Sequence, residues 1–414
     1  MKIFIYGINY APELTGIGKY TGEMAEWLAA HGHETEVFTA MPYYPEWKIH
    51  PEYKARGWHT EIINKVKVHR VPLYVPKNIT SLRRVLHELS FCCSLFPVWL
   101  ISLFRKKADI LLVVQPPFHL GFLPLAYARI KGAKVANHVQ DLQVDAAQGL
   151  GMLKNRKLLY LMRQAEKFIF GKSDKVFTIS FGMERKIVAK GIDPDKVVIF
   201  PNWTDSGKIK PLSREQSLRQ AFGLSEKDKI ILYSGNLGEK QGLEIIIDVA
   251  HAVRNDRSMK FVIVGSGGIR ERLQHLASLS RLENILFFPL QPPEKLSSLL
   301  ATGDVHLVLQ KSSASDLVMP SKLTNIFSVG GCAIITAAAG SYLYELVTTY
   351  KMGIVAVPES ASSLLSAIKL ALTTDTTGYK SNARSYARKF LDKDSILKRL
   401  EEELLSLALS VSRE

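Results

Sequence analysis

A lysine that follows a proline at a short distance marks residues 317–331 as a candidate anion-binding segment. Pro320 stands where the first residue of a helix is expected, because a proline has no backbone N–H to leave unpaired there. The free N–H groups near Ser321 and Lys322 would lie at the positive end of the helix dipole. Together with the Lys322 ammonium they predict a site for a phosphate, and an ordinary solvated lysine is the alternative.

Two glycine-rich loops in the second half of the chain follow predicted buried strands and favour the same chemistry. The first covers residues 234–242 and precedes a helix, and the second covers residues 264–268. Glycines let backbone N–H groups approach a phosphate closely, and a lysine in such a loop adds a point charge for a diphosphate. The candidate ligand-binding residues of these loops are Gly235, Asn236, Lys240 and Gly265.

The first loop of the chain, residues 9–19, is long and ends in Gly16 and Gly18, with Lys19 next to them. These three residues are candidates for contacting a phosphate or a sugar, and a purely structural turn is the alternative. The loop lacks the G-x-G-x-x-G spacing, and no acidic residue ends the second strand. The pattern therefore disfavours a dinucleotide-dependent oxidoreductase.

A histidine and two aspartates close a predicted strand at residues 137–145. At the carboxyl end of a parallel strand, His138 and Asp141 are placed to contact a sugar or an acceptor hydroxyl. For His138, a structural hydrogen bond below the site is an equally good interpretation. The candidate catalytic residues are therefore Asp141, His138, Lys240 and Lys322.

Other catalytic chemistries lack their sequence signatures. The chain has no Walker A motif, no G-x-S-x-G, no H-E-x-x-H and no C-x-x-C. Cys92, Cys93 and Cys332 have neither disulfide-framework nor metal-ligand spacing, which favours a reducing compartment. The one D-x-D, at residues 193–195, contains a proline and follows a glycine, so we interpret it as a surface turn. We therefore predict no metal site.

The elements that must position these residues alternate along the chain, with short apolar strands between amphipathic helices, as in βαβ units. The predicted strands are residues 2–6, 34–39, 66–70, 110–114, 134–138, 175–179, 197–201, 229–234, 260–265, 285–288, 305–309, 332–336 and 354–357. The pattern restarts at residue 229, after a polar join near residues 202–212. It predicts two Rossmann-like, doubly wound α/β domains that face a central cleft. A last helix is predicted over residues 394–409, capped by Asp394 or Ser395.

Composition narrows the class of partner. The chain has 414 residues, 47% of them apolar, and a formal net charge of +15. This charge suits nucleic acid, an anionic membrane surface or a phosphate-bearing substrate, but no module of basic and aromatic residues favours nucleic acid. The longest apolar run, residues 91–104, is shorter than the roughly 18 residues of a spanning helix. Both a buried core helix and a membrane-surface anchor fit this run.

At these motifs the sequence resembles family 4 retaining glycosyltransferases, and more narrowly the colanic-acid-type exopolysaccharide enzymes often described as fucosyltransferases. The matching segments run nearly end to end. They are residues 10–13, 15–18, 31–34, 42–45, 138–141, 178–180, 201–203, 235–238 and 320–323.

The resemblance implies a GT-B fold, with residues 1–205 binding the acceptor and residues 206–389 binding the nucleotide sugar. The C-terminal helix, residues 390–414, would pack back on the first domain. It also implies retaining transfer without a metal or other cofactor, in which the leaving diphosphate helps to deprotonate the acceptor hydroxyl. Lys240 and Lys322 would stabilise the charge on that diphosphate.

The expected partners follow from the same resemblance. The donor would be GDP-fucose or a UDP-sugar, and the acceptor a polyprenyl-diphosphate-linked or other glycan in bacterial surface-polysaccharide synthesis. The enzyme would be cytoplasmic and peripheral, in contact with the anionic inner face of the cytoplasmic membrane and not with nucleic acid. The basic charge and residues 91–104 motivate this membrane contact.

The sequence departs from the family at four positions. Many members have two glutamates eight residues apart, the second of which binds the donor ribose, and Leu317 and Asn325 stand there in this chain. An arginine and a lysine of the diphosphate loop are replaced by Asn236 and Gln241. Asn325 can still hydrogen-bond a ribose. A non-catalytic nucleotide-sugar-binding or scaffold protein, or another GT-B enzyme such as a nucleotide-sugar epimerase, is the alternative function.

Overall fold

The computed structural model describes residues 1–13, 16–54, 56–78, 80–149, 155–312 and 320–409. The chain forms two compact units. Unit 1 comprises Met1–Pro201 and Leu397–Glu414, and unit 2 comprises Asn202–Ile396. Each unit contains one sheet whose strands are parallel or nearly all parallel, which confirms the predicted pair of α/β domains.

The sheet of unit 1 has eight strands in the order β3-β4-β2-β1-β5-β6-β7-β8. They are β1 Lys2–Tyr6, β2 Glu34–Ala40, β3 His59–Ile63, β4 Val66–Val71, β5 Ile110–Gln115, β6 Lys134–Val139, β7 Lys175–Thr178 and β8 Val197–Ile199. The neighbouring strands β1 and β5 are buried along their whole length. Strands covered on both faces appear in the sequence as continuous apolar runs, which is why the sequence predicts them.

The apolar pattern does not predict β3, which pairs antiparallel with β4 at the edge of the sheet. All its residues are at least partly exposed, and Ile62 is 77% exposed, so the strand has no apolar run. Asn64 and Lys65 join β3 to β4 with positive φ angles of 47° and 69°. Two such residues form the tight turn of a β-hairpin, and an asparagine at its start is the signal that could have revealed it.

Helices flank the sheet of unit 1. They are α1 Gly16–Ala30, α2 Ser81–Ser102, α3 Phe122–Lys131, α4 Gln143–Gly149, α5 Arg156–Lys172 and α6 Phe181–Ala189. Because the strands are parallel, the loops that follow β1, β2, β5 and β6 meet at one edge of the sheet. This edge carries the polar residues described below.

Helix α2 is longer than the apolar run that predicts it. It begins at Ser81, where the side chain of Thr80 accepts a hydrogen bond from the backbone of Arg83. Among the described residues, α2 is the single helix whose length and apolar composition would allow it to cross a membrane. Core helices of globular proteins pass the same test, and the most apolar stretch of α2 is 33% buried.

The two faces of α2 differ. Phe91, Leu95 and Trp99 are buried in the core of unit 1, so the interpretation as a core-packing helix is correct for this face. The opposite face exposes apolar side chains at spacings of three and four along the helix. They are Leu82, Val85, Leu86, Leu89, Phe96, Leu100 and Ile101, followed by Phe104 just beyond the helix.

The sheet of unit 2 is wholly parallel, in the order β11-β10-β9-β12-β13-β14. Its strands are β9 Lys229–Ser234, β10 Met259–Val264, β11 Ile285–Phe288, β12 Val305–Val308, β13 Ala333–Thr336 and β14 Ile354–Ala356. Its helices are α7 Glu244–Ala252, α8 Arg270–Leu279, α9 Leu296–Thr302, α10 Lys322–Ser328, α11 Tyr342–Thr349, α12 Ala361–Thr373 and α13 Thr377–Phe390. Alternate residues of β9 enter cores on opposite faces, so this strand is central and buried on both sides.

The last helix, α14 Lys393–Leu409, lies where its apolar spacing predicts it. Its cap is Asp392, and not Asp394 or Ser395, because the Asp392 carboxylate accepts hydrogen bonds from the backbone and hydroxyl of Ser395 at 3.1 and 2.9 Å. The apolar face of the helix is buried. Its members are Ile396, Leu397, Leu400, Leu404 and Leu407.

Candidate functional site

The two glycine-rich loops of unit 2 pack directly on each other, because β9 and β10 are neighbours. The backbone N–H of Gly235 donates to the carbonyl of Val264 at 2.9 Å, and that of Leu237 donates to Ser266 at 2.8 Å. A Cβ atom on Gly265 would lie 1.9 Å from the carbonyl oxygen of Gly235. Glycine is therefore required at position 265 for the contact between the loops.

Lys322 is the first residue of α10, and its side chain lies against the first of these loops. The ammonium nitrogen is buried and sits 3.6 Å from the centre of the Tyr233 ring. A Cβ atom on Gly235 would be 3.2 Å from the same nitrogen. The nitrogen has no hydrogen-bond partner among the described residues. Burial lowers the pKa of Lys322 to about 7.

This environment differs from that of a solvated surface lysine. A buried ammonium without hydrogen bonds carries a desolvation penalty, which an anion placed beside it would offset. The aromatic face of Tyr233 stabilises the charged form only in part. The arrangement can therefore bind a phosphate group next to the backbone of the Gly235 loop.

Ser321 and Asn325 lie on either side of Lys322 in sequence. The carbonyl of Ser321 accepts a hydrogen bond from the Thr324 hydroxyl at 2.8 Å. Asn325, one helical turn after Lys322, accepts a hydrogen bond at its side-chain oxygen from the Thr204 hydroxyl at 3.2 Å. Leu317, the other position of the missing glutamate pair, lies outside the described residues.

The loop after Gly235 is closed by its own side chains. Gln241 accepts a hydrogen bond from the backbone N–H of Gly238 at 3.1 Å, so this glutamine has a structural role in the loop. Asn236 is exposed, and its carbonyl accepts from the Tyr233 hydroxyl at 2.7 Å. Lys240 is partly exposed in the short turn that follows. The structure thus brings Gly235, Asn236, Gly265 and Lys322 to one edge of the sheet, with Lys240 nearby.

In unit 1, the glycines of the loop after β1 have structural explanations. Gly16 has a φ of +62°, which favours glycine. A Cβ atom on Gly18 would lie 2.7 Å from a carboxylate oxygen of Glu13. Lys19 lies 3.7 Å from Glu23 in an ion pair along α1. Contact of these residues with a phosphate or a sugar stays a prediction.

Glu13 is a buried carboxylate that sequence reasoning missed. It accepts hydrogen bonds from the Asn9 side chain at 2.9 Å and from the backbones of Tyr43 and Tyr44 at 3.1 Å each. Burial nevertheless raises its pKa to about 7. An acidic residue just before a glycine-rich helix start was the signal in the sequence. Glu13 ties the loops that follow β1 and β2 together.

His138 is the second-last residue of β6, and Asp141 lies two residues beyond the end of this strand. The His138 ring is buried, its Nε2 lies 3.1 Å from the Gln140 amide, and its ring centre lies 4.8 Å from that of Phe200. Burial lowers the pKa of His138 to about 3, so the ring is neutral. This geometry favours the structural interpretation of His138. Asp141 is partly exposed, with one carboxylate oxygen buried.

A further polar group at this edge of unit 1 lies between α2 and the loop after β5, and the sequence did not single it out. Both oxygens of the buried Glu88 carboxylate accept from the Gln143 amide at 2.8 Å. The Gln143 oxygen in turn accepts from the backbone of Phe118 at 3.1 Å. His87 donates from Nδ1 to the Tyr74 carbonyl at 2.5 Å. Two polar residues inside an apolar helix were the available signal.

Within the described ranges, no group of three or more His, Cys, Asp or Glu side chains is arranged to hold a metal ion. The D-x-D turn fits its structural interpretation, since the carboxylate of Asp193 accepts from the backbone of Asp195 at 3.1 Å.

Two α/β units, each built on a largely parallel sheet, and a buried lysine beside glycine-rich strand ends are the features expected of a glycosyltransferase of the GT-B fold. The chain belongs to this family: residues 15–203 match the glycosyl transferase 4-like domain, and residues 214–390 match glycosyl transferases group 1. These matches confirm the family resemblance read from the sequence.

Individual relatives agree with this assignment. The chain is 43% identical to WcaI of Escherichia coli (strain K12), described as a colanic acid biosynthesis glycosyl transferase, over 98% of this chain and 100% of that protein. Its fold is similar to that of sucrose-phosphate synthase from Thermosynechococcus elongatus, with a TM-score of 0.79, 16% identity and 99% of each chain covered. HepE of Anabaena, solved in complex with UDP and glucose, gives a TM-score of 0.72 at 15% identity, covering 98% of this chain and all of that one.

Proposed function

We propose that this glycosyltransferase transfers a sugar from a nucleoside-diphosphate sugar to a lipid-linked or polysaccharide acceptor in bacterial surface-polysaccharide synthesis. The description of WcaI as a colanic acid enzyme supports the pathway, and the UDP bound to HepE supports a nucleotide donor. GDP-fucose and UDP-sugars are the candidate donors. The transfer retains the anomeric configuration and uses neither a metal nor another cofactor.

The observation that carries the proposal is the buried ammonium of Lys322 beside the Gly235 loop. The leaving nucleoside diphosphate gains negative charge as the glycosidic bond to the donor breaks. A cation fixed in a desolvated site stabilises that charge without reorganising first. Lys322 and Lys240 would then supply the positive charge that a divalent metal supplies in other transferases.

The other donor-side candidates surround this lysine. The loops at Gly235 and Gly265 would let the diphosphate approach closely, while the N–H groups of these two glycines already donate to the carbonyls of Val264 and Phe288. Ser321, just before α10, would offer its hydroxyl to the diphosphate. Asn325 has its oxygen engaged by Thr204 and would offer its amide N–H to a ribose hydroxyl. Asn236, exposed at the tip of the loop, would contact the diphosphate from the solvent side.

In unit 1 the candidate acceptor contacts are Asp141, His138, Gly16, Gly18 and Lys19. Asp141 is the best placed of them, since its carboxylate is partly exposed at the end of β6. It would orient the acceptor hydroxyl by hydrogen bonding, and the leaving diphosphate would take the proton. His138 would support this contact from below as a neutral, buried ring beside the Gln140 amide.

The exposed apolar face of α2 supports a peripheral membrane contact. Positive charge stands at both ends of α2, at Arg83 near its start and at residues 105–107 after its end, where Arg105 also lies 3.8 Å from Glu36. Apolar side chains and flanking cations together match the interface of an anionic bilayer. A lipid-linked acceptor would be available at that surface.

The first test is calorimetric titration of the purified protein with GDP, UDP, dTDP, CMP and NAD, without added metal. We expect one nucleoside diphosphate to bind preferentially and Lys322→Met to raise its Kd about 30-fold, the effect of removing one buried charged contact worth about 2 kcal/mol. Lys229→Met, at an exposed lysine at the opposite end of β9, is the control and should bind normally. Absence of binding to every nucleotide would overturn the proposal.

A further inference from the structure

Gln310 is a buried amide at the carboxyl edge of the unit 2 sheet, just after β12. The residue is only 7% exposed, and its side-chain nitrogen Nε2 is buried. Among the described residues this nitrogen has no hydrogen-bond partner. A buried donor without an acceptor destabilises the protein, and such groups in native structures call for an explanation.

The backbone N–H and carbonyl of Gln310 are both hydrogen-bonded to the side chain of one threonine. The N–H of Gln310 donates to the Thr336 hydroxyl at 2.8 Å, and the same hydroxyl donates to the Gln310 carbonyl at 3.0 Å. Thr336 is the last residue of β13, the strand next to β12. The side chain of Gln310 therefore starts from a backbone that is held rigidly at the sheet edge.

The residue after Gln310 is attached to the glycine-rich loop that precedes α7. The N–H of Lys311 donates to the Lys240 carbonyl at 2.9 Å. The side chain of Lys311 also packs on Gly242, where an added Cβ would lie 3.1 Å from its Cγ. Gln310 consequently stands where this loop, which begins at Gly235, meets the sheet.

Two buried donors without acceptors thus occur at one sheet edge. One is the Lys322 ammonium against Gly235, and the other is the Gln310 amide at the neighbouring strand end. Strand β12 pairs with β9, whose end begins the Gly235 loop. A ligand with several acceptor oxygens in this place would satisfy both donors, whereas a single hydroxyl would satisfy one.

We propose that Gln310 donates a hydrogen bond to a phosphate oxygen of the nucleoside diphosphate that Lys322 binds. The inference rests on the proposed function and adds a binding residue to it. Thr336 is its positioning residue. A neutral amide suits this place, because a carboxylate there would repel the phosphates.

The experiment compares nucleotide affinity with the stability of the ligand-free protein. In Gln310→Met, which keeps the length of the side chain and removes the donor, we expect the Kd of the preferred nucleoside diphosphate to rise about tenfold, or about 1.4 kcal/mol. The melting temperature of the ligand-free variant should stay unchanged or rise, because a buried unsatisfied donor is gone. Gln310→Glu should weaken binding further.

Two further variants separate binding from folding. Thr336→Val should weaken nucleotide binding and Thr336→Ser should restore it. Asn284→Leu is the matched control, since Asn284 is a buried amide at the opposite edge of the same sheet, before β11, and donates to the Ala250 carbonyl. It should lower the melting temperature and leave the Kd unchanged.

Three outcomes would overturn the assignment of Gln310. If Gln310→Met binds the diphosphate like the wild type while Lys322→Met does not, the inference fails and the proposed function stands. If Gln310→Met loses affinity for the nucleotide sugar but not for the diphosphate, the amide contacts the sugar and the phosphate assignment is wrong. If the wild type binds no nucleotide, both proposals fail together.

Discussion

At the scale of the single residue, Lys322 is defined by the conflict between its charge and its burial. The pKa of a solvated lysine is 10.5, and burial lowers that of Lys322 to about 7. Near neutral pH the ligand-free protein therefore holds this side chain partly uncharged. A bound diphosphate would reverse the effect, because a nearby anion favours the protonated form. Binding and protonation are coupled at this residue.

This coupling predicts that nucleotide binding takes up a proton above neutral pH. At pH 8.5 Lys322 of the ligand-free protein is largely neutral and the phosphates are fully ionised. We therefore expect the uptake of nearly one proton for each nucleotide bound. Titration calorimetry in buffers of different ionisation enthalpy measures the number directly. Lys322→Met should show no uptake, and an unchanged uptake in that variant would assign the proton to another group.

The lowered pKa of Lys322 also makes the stability of the ligand-free protein depend on pH. The direction of this dependence follows from the number of protons that the folded and unfolded states bind. Between pH 7 and 10.5 the unfolded chain holds a proton on Lys322 that the folded protein has lost. Stability therefore rises with pH across this window and is lowest below it, where the buried ammonium must be charged. Lys322→Met should lack this rise in a series of chemical denaturation curves.

The buried residues show where sequence reasoning ends. Lys322 was predicted to be part of an anion site, because a proline, a serine and a lysine at a helix start indicate such a site by their types alone. Glu13 and Gln310 were not, because their importance comes from burial and from the presence or absence of a hydrogen-bond partner. Those properties are set by segments distant in the chain, such as Tyr43 for Glu13 and Thr336 for Gln310.

At the scale of the element, α2 joins two surfaces of unit 1. One face carries Phe91, Leu95 and Trp99 into the core, and beside them Glu88 contacts the Gln143 amide at the sheet edge. The other face is apolar and exposed along its whole length. The helix start at Ser81 was missed because Arg83, Arg84 and Glu88 interrupt the apolar run, although a helix tolerates them easily.

We predict that this exposed face binds anionic bilayers. The double variant Leu86→Glu and Phe96→Glu places two carboxylates on the face, and we expect it to lower the fraction of protein that sediments with phosphatidylglycerol vesicles about tenfold or more. The wild type should bind these vesicles, bind phosphatidylcholine vesicles weakly, and lose affinity as salt rises.

The control for this experiment is Leu279→Glu with Leu370→Glu, which charges two exposed leucines of unit 2. It should sediment with the vesicles like the wild type, and both double variants should keep the nucleotide Kd. Equal sedimentation of the α2 variant and the control would show that the membrane contact lies elsewhere. No sedimentation of the wild type would remove the membrane contact from the proposal.

At the scale of the whole molecule, the architecture could be predicted because parallel strands covered on both faces are apolar throughout. Every strand of unit 2 was predicted from such a run, and unit 1 differs only by β3 at its exposed edge. The assignment of donor and acceptor to the two units stays a prediction. It rests on Lys322 in unit 2 and on Asp141 in unit 1.

The assignment of the donor to unit 2 and the acceptor to unit 1 predicts which variants restore the polysaccharide in cells. In a bacterium that lacks the gene and therefore the polysaccharide, Lys322→Met should fail to restore polymer although the protein accumulates normally, because the leaving diphosphate is no longer stabilised. Lys229→Met should restore it. A scaffold would need its folded surface and not this ammonium, so restoration by Lys322→Met would contradict the catalytic role of the residue. Asp141→Asn should lower polymer without changing the nucleotide Kd, since its carboxylate orients the acceptor and does not contact the donor.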